Sequence, residues 1–392
     1  MSDIIVLFIV IALGFGVQNS ISKGLSEVKK TLRYLWLYHL AFGVIYYVYI
    51  VYGPGGDSIS YYETSKELSI SDAFLLFSIN GPGTWGMYLL NAPITKLIGF
   101  FGLTMIYTLL GYIGLICFYV LFNKNINFNT KLSGYNLFPL IFYLPNLHFW
   151  SAGLGKDALL FFCIGVFFYS MQQPSKYYIK IVLVLILSYI IRPHITIFLI
   201  ASAGMGYLLD GNLKIYHKIF IGSVFLIAFI SLFDNIMAFL RIEDLNIESL
   251  DQFSDDKVSK LSRSHTGSTI DISSYPYPLK IFTFLYRPLF FDINGVLAIV
   301  ASFENLLLLI LTWKLFRVNP IKIFNAGNYL VKSLFLFLII GTLSFSLILG
   351  NLGIMLRQKN MFIPALLFIC LWAFSYTTEK KLQNLADPQT DS

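Results

Sequence analysis

The chain has 392 residues, 57% of them hydrophobic and 12% charged, with a mean hydropathy of +0.71. No soluble domain keeps that balance in water, so the composition points to a polytopic membrane protein. The net charge of +7 is accounted for mostly by Lys and Arg in loops on the inner side, which argues against nucleic acid as a partner.

The expected fold is all-α, a single transmembrane domain over 1–392 with about 11 spans, and with short re-entrant or interfacial helices on the outer side. The start has no basic region and carries Asp3, so 4–17 reads as a first span and not a cleaved signal peptide. An inner loop with Lys23, Lys29, Lys30 and Arg33 follows, and the second span, 34–52, runs outward. It opens into an outer loop, 53–84, rich in Gly and Pro. Residues 85–96 suit the interface, where Trp and Tyr collect. The span 99–122 returns to Lys124 and Lys131.

Two short pairs come next, 134–147 with 157–171 and 181–191 with 195–209. They return to the inner residues Lys176 and Lys180, then Lys214 and Lys218. Spans this short thin the bilayer or border a water-filled cavity. A span over 219–240 leads to a second outer region, 241–290, made of a polar stretch and an interfacial segment, 279–290. Spans at 292–313, 329–349 and 361–376 complete the chain, with Lys314, Arg317, Lys322, Lys380 and Lys381 inside. This places the N-terminus outside and the C-terminus in the cytoplasm. Cys117, Cys163 and Cys370 fall in apolar runs and behave as small hydrophobes. The five histidines are dispersed, and neither a metal nor a cofactor is expected.

Five cations break the inner-side rule: Lys156, Arg192, Arg287, Arg357 and Lys359 fall at outward ends. Each precedes a segment that runs inward, and so lies beside the positive end of a helix dipole. That placement is costly unless an anion binds, and a phosphate on a lipid-linked substrate is the natural candidate.

The motifs refine this expectation. In Gly55-Gly56-Asp57-Ser58 the glycines permit a sharp turn, leaving Asp57 as a catalytic carboxylate, as a helix cap, or as both. The run from Pro145 to Asp157 holds His148, Lys156 and Asp157. It lacks the spacing of a nucleotide loop and reads as a Gly-relaxed start to a half-helix, with a local Lys156–Asp157 pair as the plain alternative. Arg192-Pro193-His194 places a phosphate-binding fork and a general base or hydrogen-bond donor at a helix mouth. Arg287-Pro288 repeats that start, and Glu304 lies mid-span, where an acid is either functional or paired for structure. Arg263 and His265 in the long loop are weaker candidates, and His39 and His217 are expected to be structural.

The runs GGDSISYY, FWSAGLGKDALLF, IRPH, LYRPLFFD with FEN, and NLGIMLRQKNMFIP resemble the oligosaccharide repeat-unit polymerases of O-antigen and capsule assembly. That group lies within the wider GT-C membrane glycosyltransferases. The paired signature of the group's large loop has no clear counterpart in 241–277. The resemblance implies a bacterial inner-membrane enzyme whose donor is a polyprenyl-pyrophosphate-linked glycan. A second lipid-linked unit would supply the attacking hydroxyl on the outer face, with no metal or nucleotide. It implies that Arg192, Arg287 and Arg357 hold the pyrophosphate and that Asp57 is the outer-loop catalytic carboxylate. A chain-length regulator and a flippase are the implied protein partners. A transferase using a polyprenyl-phosphate monosaccharide, and a lipid-linked glycan transporter or flippase, are the alternatives.

Overall fold

A computed structural model describes residues 3–21, 26–53, 55–132, 134–210, 214–216, 218–219, 222–223, 226–227, 270–272 and 274–386. The expected span 219–240 and most of the long loop, Arg263 and His265 included, lie outside the described residues, as do Lys23 and His217. Among the described residues the only strands form a short hairpin, β1 (Lys131–Leu132) antiparallel to β2 (Tyr135–Asn136). Everything else of regular structure is helical.

Six described helices are long and apolar enough to cross a membrane, or eight if each of two bent pairs is one span. They are α1 (Asp3–Ile21), α2 (Ser26–Tyr52), α6 (Phe100–Asn125), α10 (Pro174–Ile191), α13 (Val296–Arg317) and α15 (Tyr329–Ile348). The chain is therefore an all-α polytopic membrane protein. One expected span, 134–147, is instead the hairpin, a short α7 (Leu137–Leu140), a 3-10 turn and the first residues of α8 (Pro145–Ala152). Pro139 and Pro145 break the helical hydrogen-bond ladder there. A neighbouring expectation fell short in the other direction, since α10 begins at Pro174 and carries Lys176 and Lys180 on its own first turns.

The described chain divides into two compact units, Met1–Leu121 with Phe142–Thr196, and Phe122–Ile141 with Ile197–Ser392. In the first unit the expected outer loop is helical, giving α3 (Asp57–Glu67), α4 (Ile70–Asn80) and α5 (Thr84–Thr95). Helix α2 packs on α8, α8 on α9 (Lys156–Ser170), α9 on α10, and α10 on α5, which also carries α3 and α4. Small residues let α6 close on this layer, the usual device where lipid removes the hydrophobic drive between helices. A Cβ at Gly111 would run into the Ser151 carbonyl oxygen, and one at Gly165 on α9 would run into the Gly114 main chain of α6. Outward, α1 shows Ile4, Ile5, Phe8 and Leu13 and α10 shows Ile179, Val182, Leu183 and Ile186, apolar stripes suited to lipid.

The second unit is built on α12 (Tyr277–Tyr286), which packs against α15, α13 and α16 (Leu352–Lys359). Helix α17 (Ile363–Ala386) closes it against α13 and α15, and the short α14 (Pro320–Ala326) joins α13 to α15. Rings of Phe284, Phe337, Phe345 and Phe362 meet at its centre, with Phe284 and Phe345 stacked 6.0 Å apart.

Candidate anion site

In the first unit four chain corners meet. Helices α8 and α9 bend by 109° across Gly153-Leu154-Gly155, so α9 starts at Lys156 with its first amide protons unsatisfied by the helix. Helix α10 ends at Arg192, whose extended backbone (φ −151°, ψ 97°) is the conformation imposed on a residue before proline. Pro193 then opens α11 (Pro193–Leu208), with His194 in its first turn. The turn Gly81-Pro82-Gly83 opens α5, and the Gly83 amide donates to the Ile190 carbonyl at 3.0 Å, fixing α5 to the end of α10. Finally α3 starts at Asp57, and the next residue, Ser58, donates to the Leu154 carbonyl at 2.6 Å while meeting the Tyr46 hydroxyl at 2.9 Å.

The starts of α3, α5, α9 and α11 are thus gathered at one end of this unit, around two cations. Lys156 donates to Thr84 Oγ1 at 3.1 Å and lies 5.8 Å from the centre of the Tyr61 ring. Arg192 Nη1 lies 3.3 Å from Asp157 Oδ1, with side chains only 15% and 6% exposed. The charges of Arg192 and Lys156 both bear on His194. Asp57 is exposed. Helix N-termini with adjacent cations form an anion-binding arrangement, because amide protons, dipoles and charges act in one direction. Lys29, Lys30 and Arg33, at the start of α2, and Lys176 and Lys180, at the start of α10, stand away from this corner, at the opposite helix ends.

His148 lies in a different setting, fully buried within α8. Its Nε2 meets the Phe142 carbonyl at 2.6 Å and its Nδ1 meets Nδ1 of the equally buried His39 at 2.9 Å. A carbonyl only accepts, so Nε2 of His148 carries a proton. In the neutral pair the proton between the two Nδ1 atoms therefore belongs to His39. The pair ties α2 to the half-helix α8.

In the second unit Arg287 is likewise extended before a proline (φ −100°, ψ 151°). Its Nε donates to Asp292 Oδ2 at 2.9 Å and its Nη2 to Asp292 Oδ1 at 2.5 Å, a two-pronged pair that Leu289 N joins at 2.9 Å. Phe291 lies 5.5 Å from the guanidinium. Hydrogen bonding to Asp292 raises the Arg287 pKa. Burial pushes the Asp292 carboxyl up, but Arg287 and the Leu289 amide outweigh it and hold the carboxyl below its ordinary value. Lys359 is buried, and its three protons go to the Leu285 carbonyl (3.3 Å), the Arg287 carbonyl (3.0 Å) and Asn305 Oδ1 (2.6 Å). Glu304, also buried, acts on Lys359 electrostatically. Arg357 lies half-buried on α16, two residues before Lys359.

The structure therefore brings Lys156, Asp157, Arg192 and His194 together with the start of α3 that carries Asp57. Separately, it brings Arg287 together with Lys359 and Glu304. Asp157 pairs with Arg192, a contact between residues 35 apart that no local motif announces. Thr84, Asn305 and Asp292 escaped the sequence reading. The Gly-Pro-Gly turn before Thr84 signals a helix start, and Asp292 lies in the same short motif as Arg287. Among the described residues no group of three or more His, Cys, Asp or Glu could hold a metal ion. No family model matches the chain, and neither a curated protein nor a solved structure shows significant similarity to it.

Proposed function

We propose that the chain is a membrane glycosyltransferase of the repeat-unit polymerase kind. It would join polyprenyl-pyrophosphate-linked oligosaccharides into a surface polysaccharide on the outer face of a bacterial inner membrane. The observation that supports this reading is the meeting of four helix N-termini around Lys156 and Arg192. A doubly anionic leaving group suits that corner. Asp57 takes the proton of the acceptor hydroxyl as its oxygen attacks the anomeric carbon. The bond from that carbon to the pyrophosphate oxygen breaks, and polyprenyl pyrophosphate departs. His194 is the poorer base, because burial and then the two neighbouring cations oppose a charge on its ring, and it serves as a hydrogen-bond donor. The cations stabilise charge that grows only as the leaving group departs, which is the binding that lowers a barrier.

Arg192→Ala removes such a cation from this corner, and Arg287→Ala removes, in the second unit, the arginine to which the resemblance gives the same role; each is expected to cost on the order of 3 kcal/mol of barrier. Both variants are expected to lose polymer in cells while protein levels hold. Normal chain length in both removes the reading. A gain of one sugar in place of a ladder identifies the monosaccharide transferase instead.

The second reading is a proton-coupled transporter of lipid-linked glycan. His39 in the middle of α2, His148 and Glu304 favour it, being buried ionisable groups within apolar helices. Proteoliposomes under a pH gradient distinguish the two, since the transferase forms product without a gradient.

A further inference from the structure

Helix α12 ends at Arg287, and a helix end leaves carbonyls without partners in the helix. Here three nearby carbonyls, those of Leu285, Arg287 and Pro288, are met by two side chains from other helices. Lys359 on α16 serves the first two, and Asn305 Nδ2 on α13 donates to Pro288 at 2.7 Å. Lys359 and Asn305 are themselves joined at 2.6 Å, and both are 1% exposed. That bond fixes which way the Asn305 amide faces, because its oxygen must accept from the ammonium. A buried ammonium at a helix C-terminus also meets the negative end of the dipole.

The guanidinium of Arg287 is held from the other direction. Asp292 takes two of its five N–H bonds and Tyr275 lies against it. We infer that Asn305 and Lys359 are positioning residues that fix the main chain of Arg287 so that its guanidinium is presented to an anion in one orientation. Lys359 acts from behind the loop, with its donors already engaged, and Asn305 is the bracket between Lys359 and Pro288. This rests on the reading of Arg287 as a phosphate-binding residue. The anion is a phosphate or pyrophosphate ester.

The test uses the purified full chain in detergent, with inorganic pyrophosphate as probe. Two readouts are taken: pyrophosphate affinity, and the rate at which phenylglyoxal modifies Arg287, followed by peptide mass spectrometry. Asn305→Leu removes both bonds and Asn305→Asp keeps only the acceptor for Lys359. In Asn305→Leu the affinity is expected to fall about tenfold, as for loss of a hydrogen bond to a charged group, and Arg287 modification to quicken. Asn305→Asp should lie between Asn305→Leu and wild type. Lys359→Met should resemble Asn305→Leu, and if it does not fold the two Asn305 variants carry the test. An Asn305→Leu protein with wild-type modification rate at Arg287 overturns the inference. If the unaltered chain binds no pyrophosphate, the functional reading falls, while the modification rate still decides whether Asn305 positions Arg287.

Discussion

Arg192 at the end of α10 pairs with Asp157 in the first turn of α9 at 3.3 Å, and this contact joins the two corners that carry the cations of the first unit. Asp157 is buried, and Arg192 offsets the cost of burying its charge while being oriented by it. Breaking one side of such a buried pair costs about 3 kcal/mol, whereas replacing both sides is milder. Asp157→Asn is therefore expected to lower the melting temperature and polymer yield together. In the double variant Asp157→Asn with Arg192→Gln, stability should recover in part and polymer should not. Recovery of polymer would show that Arg192 serves only to neutralise Asp157.

Close approach of α6 to the bend between α8 and α9 makes Gly111 a steric test of the fold. A methyl group there meets the Ser151 carbonyl, a main-chain atom that cannot swing aside. Gly111→Ala should destabilise by about 1–3 kcal/mol, the usual cost of overpacking. Gly16→Ala, with nothing within 4 Å of the added carbon, should stay within about 0.5 kcal/mol of wild type. Thermal melts in detergent separate them, and equal melting temperatures would contradict the packing described.

Asp292 gives a pH dependence with a defined sign. Its carboxyl ionises in the folded chain below its ordinary value, so the stability it contributes is present above the ordinary carboxylate range. That contribution is lost as pH falls through the lowered folded value. At pH 7 the Asp292→Asn variant should be less stable than wild type by about 2 kcal/mol, the scale of a charge-assisted hydrogen bond. The gap should narrow below pH 4, where the unfolded carboxyl takes up its proton, about the reference value for Asp. A gap that is constant from pH 7 to pH 3 would assign the effect to packing of Phe291 instead.

The membrane class and the helices around Asp3, His39 and Glu304 were legible in the sequence, because apolar composition and the bilayer leave no other solution for the backbone. The helix starts at Asp57, Lys156 and Pro193 were legible too, since Gly and Pro punctuate the chain on local grounds. What escaped was set by packing across the sequence. Residues 134–147 are apolar enough for a short span, yet Pro139 and Pro145 leave them as turns that feed a half-helix. The partner of Asp157 was hidden because α9 and α10 run side by side, bringing residue 192 back to residue 157. Lys359 looked like one more outward cation. Its burial and its bonds to the Leu285 and Arg287 carbonyls depend on where α12 ends against α16, which no spacing records.

In the proposed reaction the cations grip the pyrophosphate of a lipid-linked glycan while a hydroxyl displaces it. The most direct test incubates the purified chain with polyprenyl-pyrophosphate-linked repeat units and separates the products by size. The expected product is a ladder of joined units with release of polyprenyl pyrophosphate, lost in Lys156→Ala and Arg192→Ala. Folded wild-type protein that leaves the repeat units unjoined, or variants that make the same ladder, would contradict it.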